Sequence, residues 1–77
     1  LKGKKMIVLI SCCEGYINTI KCDSMEDAKN LMQDEYITML KEYGCDPEED
    51  NTCFGIFETS AYFNYYYGRC DWQIEEL

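Results

Sequence analysis

Residues 24–43 read SMEDAKNLMQDEYITMLKEY, and the spacing of their apolar side chains decides the fold. Met25, Ala28, Leu31, Met32, Tyr36, Met39, Leu40 and Tyr43 recur every three or four residues, which gathers them on one face of an α-helix. Ser24 is the expected N-cap: its hydroxyl accepts from an otherwise orphan backbone N–H, with Asp27 three residues on in a capping-box-like place. Glu26 and Asp27 suit the positive end of the helix. Gly44 supplies the left-handed residue that commonly closes a helix, and Pro47 prevents resumption. About twenty residues at ~1.5 Å rise make a rod of about 30 Å, enough to cover one face of a small sheet.

Working outward, residues 4–13 (KKMIVLISCC) form a nearly continuous apolar run, as in an interior strand buried on both faces. Glu14-Gly15 follows as a two-residue hairpin turn, with Gly15 free to take positive φ. In residues 16–22 the pattern alternates: Tyr16, Asn18, Ile20 and Cys22 point one way, Ile17, Thr19 and Lys21 the other. Beyond the helix, residues 45–52 (CDPEEDNT) read as an acidic solvated loop without the ligand order of a calcium site. Residues 53–59 (CFGIFET) resume strand character, with Gly55 marking a bulge or a close approach by a neighbouring side chain. The aromatic stretch 60–71 (SAYFNYYYGRCD) has no assigned form before the turn at Gly68. Residues 72–77 (WQIEEL) close as a short strand, Trp72 and Ile74 opposite Gln73 and Glu75.

The expectation is one α+β domain over residues 1–77. Its order is ββαββ, with a four-stranded, mostly antiparallel sheet and one helix packed across one face. The other face would then be bare. With Tyr16 and the aromatic stretch at hand, that face or a sheet edge is the expected contact surface.

Seventy-seven residues lie near the lower limit for a self-sufficient core. A core of this size leaves roughly 3–5 kcal/mol of net stability, so a cross-link or dimer contact matters. The composition, 47% hydrophobic and 29% charged, is that of a folded chain. The net charge of −8 is uneven: residues 1–22 set Lys2, Lys4, Lys5 and Lys21 against Glu14, whereas the later acids face only Lys29, Lys41 and Arg69. Such a surface opposes direct contact with nucleic-acid phosphates or anionic membranes and favours a basic protein partner. The only apolar run, residues 6–10, is too short for a membrane span or a secretory leader, so a cytoplasmic location is expected. The chain opens on Leu rather than Met, and Leu1, Lys2 and Gly3 are read as a processed or added end.

Six cysteines (Cys12, Cys13, Cys22, Cys45, Cys53, Cys70) read first as reduced thiols serving as small hydrophobes. Disulfides are one alternative. A zinc module is another, against which stand the lack of a C-x-x-C pair and of any histidine. Catalysis is not expected, and neither is a cofactor. No imidazole exists to act as a base, and of Cys12, Cys13 and Cys70 only Cys70 has an adjacent cation, Arg69, which Asp71 offsets.

Four blocks carry a resemblance: DSMEDA at residues 23–28, EYGCD at 42–46, SAY at 60–62 and GRCDWQI at 68–74. They resemble small acidic proteins of unknown function encoded by phages and conjugative elements of Gram-positive gut bacteria. In those look-alikes the third block usually ends in tryptophan, where this chain has Tyr62. The resemblance implies an intracellular accessory protein of a mobile element and carries no active site.

The functional expectation is a non-enzymatic acidic binding protein. Its concrete form is an anti-CRISPR-like inhibitor of a host defence or nucleic-acid-binding protein. In it Asp34, Glu35, Glu42, Glu48, Glu49 and Asp50 imitate phosphates and Tyr65, Tyr66 and Tyr67 serve as aromatic anchors. A self-associating adaptor, built as a homodimer, is the alternative.

Overall fold

The computed structural model describes residues 6–44, 54–65 and 68–77. Strands β1 (Ile7–Cys13) and β2 (Tyr16–Cys22) precede helix α1 (Met25–Glu42), and β3 (Phe54–Ile56), β4 (Ser60–Tyr65) and β5 (Gly68–Glu76) follow it. The sheet is antiparallel with strand order β2-β1-β5-β4-β3.

The four-stranded ββαββ expectation is thereby corrected to five strands. The stretch left without a form is β4, and the closing strand starts at Gly68, four residues earlier than the 72–77 reading. Its strand period is hard to see because rings stand on both faces: Ala61, Phe63 and Tyr65 share the helix side, Ser60, Tyr62 and Asn64 the other.

The local signals act as read. Ser24 Oγ accepts from the Asp27 backbone N–H at 3.1 Å, and Gly44 takes φ +66° after the helix. Glu14 and Gly15 both take positive φ (55° and 82°) between Cys13 and Tyr16, which are register partners, so the two-residue loop follows the twist of its strands. At Gly55 a Cβ would stand 2.6 Å from Tyr62 Cε1, so this glycine permits a close approach.

Helix α1 lies on one face of the sheet, against β1, β4 and β5 and reaching β2. Ala28, Met32, Tyr36 and Leu40 are buried beneath it. They meet Leu9 of β1, Ala61 and Phe63 of β4, and Cys70, Trp72 and Ile74 of β5. Rings join the layers: Tyr36 packs edge-on to Phe63 and Trp72, with centroids 5.8 and 5.4 Å apart. The Tyr36 hydroxyl donates to the Tyr62 carbonyl at 3.1 Å, so the ring is buried with its polar tip satisfied.

The reading of the cysteines as reduced thiols is corrected at one pair. Cys13 and Cys70 are cross-strand partners in the β1–β5 register, with Cα atoms 4.3 Å apart, and they form a disulfide. Cys70 is fully buried and Cys13 half-buried, and bridged to each other they carry no free thiol; Cys12 and Cys22 are free thiols. Cys45 and Cys53 lie outside the described residues, as do Glu48, Glu49, Asp50, Tyr66, Tyr67 and the expected acidic loop.

Candidate functional site

A cleft of about 390 Å³ runs between α1 and β2. Strand alternation builds its outer wall: Ser11, Cys13, Tyr16 and Asn18 stand on the helix side, with Ser11 opposite Asn18 and Cys13 opposite Tyr16. The recess has a simple cause. The pair Leu9 and Ile20 is followed by Ser11 and Asn18, too small and polar to fill the space beneath the helix. Asp34, Glu35, Thr38 and Met39 form the helical wall, and the Trp72 indole lies between the two walls.

Two of the expected partner-binding residues meet here. Asp34 is exposed, and its carboxylate makes no hydrogen bond among the described residues. Glu35 is half-buried, and its Oε1 accepts from Trp72 Nε1 at 3.1 Å. That bond satisfies the indole of a residue only 2% exposed and fixes the carboxylate at the cleft border. Glu42 is exposed on the last turn of α1. Asp27 with Asp34, and Glu35 with Glu42, are each seven residues apart, so they stack two turns apart in neighbouring rows along one flank.

The structure places Tyr65 elsewhere. Its ring is half-buried and stacks on Tyr43, centroids 4.3 Å apart, so it belongs to the packing of the helix end. Its hydroxyl is enclosed and, among the described residues, makes no hydrogen bond of good geometry, with Glu14 and Tyr43 near it. Burial first, and then the Glu14 carboxylate and Tyr43, hold its pKa well above the ordinary tyrosine range. Among the described residues the most exposed ring is Tyr16, 80% accessible, followed by Phe57. Tyr16 lies on the edge strand β2, one of the two expected contact places, and strand alternation puts it with Asn18, Ile20 and Cys22 on the helix side of the sheet rather than on the opposite face. Thr38 stands one helical turn from Asp34, a proximity the helical period alone implies, whereas nothing in the linear sequence ties Ser11 and Asn18 to Asp34.

The face opposite the helix is mixed. Arg69 lies 4.5 Å above the Tyr62 ring and pairs with Asp71 at 2.8 Å; Phe57 stacks on Tyr62. Val8, Ile10 and Thr19 line a groove of about 400 Å³ bordered by Lys21 and Glu75. Ile17, on the edge strand, is 72% exposed. Among the described residues no three metal-ligating side chains converge, and no helix is long and apolar enough to cross a membrane. Comparison with known proteins finds no matching family model, curated protein or solved structure.

Proposed function

We propose that this chain is a non-enzymatic binding protein that meets a basic protein partner through the acidic flank of α1. The observation that carries this reading is the double row of Asp27, Asp34, Glu35 and Glu42 beside an open cleft. The helix contains only two lysines, and Lys29 is already held by Glu58 at 3.1 Å. Single exposed ion pairs contribute little, but aligned like charges set up a field that speeds association with a cationic surface. The sequence resemblance supports a cytoplasmic accessory role for a mobile element. The sharper form of the reading is inhibition of a defence or nucleic-acid-binding protein by phosphate mimicry. Capture of partners from a host lysate by the immobilised full chain, at low and high salt, tests it. A basic protein retained at low salt, released by salt, and lost by an Asp27→Asn/Glu42→Gln variant is expected. Retention that is indifferent to salt and to those substitutions sinks the reading.

A second reading, self-association, is favoured by the sheet face opposite the helix, which no described helix or strand covers. Lys21 and Arg69 there balance Asp71 and Glu75, in a chain whose net charge is −8, so two copies meet on that face without net repulsion. Sedimentation at micromolar concentration tests it, and a strict monomer removes it.

A further inference from the structure

We propose that the cleft between α1 and β2 takes one lysine or arginine side chain of the basic partner, an inference that rests on the reading of the chain as a binder of basic protein. The size fits. At about 390 Å³ the recess is at the small end of ligand sites, suited to one long side chain rather than a helix or strand. Its chemistry is two-sided. Met39, half-buried, offers apolar surface along which a methylene stem can lie, with the buried Trp72 beneath it, while the carboxylates of Asp34 and Glu35 border the same space. Across the cleft stands the Tyr16 ring, whose face attracts a cation.

Other occupants fit worse. An anion meets two carboxylates and, among the described residues, no cation in the lining. A neutral apolar group would strip water from those carboxylates and return no hydrogen bond. A cationic head on an aliphatic stem satisfies both surfaces, because N–H donors reach carboxylate oxygens in charge-assisted bonds. Glu35 is also held ready: Trp72 Nε1 occupies one oxygen, and the second makes no bond among the described residues. An acceptor fixed before binding loses little side-chain freedom when the partner arrives.

The test is a titration of the ¹⁵N-labelled full chain with three capped tripeptides, Gly-Lys-Gly, Gly-Arg-Gly and Gly-norleucine-Gly, followed by amide and indole shifts. Saturable shifts are expected at Tyr16, Asn18, Thr38 and the Trp72 indole N–H with the lysine or arginine peptide, and none with norleucine. Tyr16→Ala weakens binding by about threefold to fivefold, and Asp34→Asn by at least as much. Both residues are exposed, so unchanged far-UV and near-UV dichroism verifies their folding. Equal shifts at Glu26, Asp27 and Glu42 would mean diffuse charge attraction and overturn the proposal. So would norleucine binding, or no saturation by about 10 mM peptide. Failure here is separable from failure of the broader reading. Suppose Tyr16→Ala and Asp34→Asn chains still capture a basic partner reversibly with salt, while Asp27→Asn/Glu42→Gln loses it. The acidic flank then stands and the side-chain recess falls.

Discussion

Glu35 sits between the polar and apolar flanks of α1, and helical periodicity alone makes it one more exposed acid. Its carboxylate instead supports a ring that lies 37 positions away. Replacement by glutamine keeps an acceptor for the Trp72 indole, whereas alanine leaves a buried N–H unpaired. Urea denaturation should therefore show Glu35→Ala less stable by about 1–3 kcal/mol, and Glu35→Gln by a smaller amount. Equal losses would mean that the bond contributes nothing. Tyr65 presents the opposite case, a polar atom enclosed without a well-formed hydrogen bond among the described residues. Its folded-state pKa is raised above the ordinary 10.0, so the neutral phenol is the form the fold prefers. Stability from this group is complete below pH 10 and declines above it, because the unfolded chain ionises first. Tyr65→Phe should fold as well as the natural chain at neutral pH and lose less stability in alkali. Urea midpoints at about pH 8 and about pH 11 provide the comparison, and identical alkaline losses in the two chains would contradict it. Neither environment is visible in the sequence, because both depend on contacts between side chains far apart along it.

At the scale of elements, α1 and the β1–β2 hairpin were legible because each is specified locally. A cap at Ser24, a stop at Gly44 and a stripe of eight apolar residues suffice for the helix; Glu14-Gly15 and an alternating return suffice for the hairpin. The run SAYFNY was not legible as β4. Aromatic side chains favour strands, but a ring at Tyr62 on the outer face conceals the alternation of Ala61, Phe63 and Tyr65 on the inner one. The partnership of β1 with β5 was likewise invisible, since it joins the two ends of the described chain; Met6 and Leu77 exchange backbone hydrogen bonds of 3.3 and 2.8 Å there. The Cys13–Cys70 bridge fastens that non-local pair and closes a loop with a sequence separation of 57. Restricting an unfolded loop of this length is worth about 4 kcal/mol in the chain-entropy model, with observed effects commonly about 2–4. A Cys13→Ala/Cys70→Ala chain should lose stability in that range by denaturant titration and retain the strand order. An unchanged midpoint would show the bridge to be immaterial to stability.

For the whole molecule, one helix against five strands divides the exterior into two chemically different sides. The helix side carries the acidic rows and the cleft; the other carries balanced charges with Ile17 and Phe57 exposed. If the balanced face joins two copies, Ile17→Lys should shift the sedimenting species from dimer to monomer at micromolar concentration without altering the melting profile of the monomer. A dimer indifferent to this change would have to use another surface. What the sequence determined by itself was the set of local commitments: the helix and its ends, the hairpin, the strand faces of residues 16–22 and the excess of acid. These follow from periodicity, backbone freedom and charge, which act over a few residues or over the chain as a sum. Only the tertiary structure decided that β5 lies beside β1, that Cys13 meets Cys70, that Glu35 holds Trp72, and that Tyr16 faces Asp34 and Glu35 across an opening. Each of these joins residues far apart in sequence, and their proximity arises from burying the apolar face of α1 against a sheet assembled from both ends of the chain.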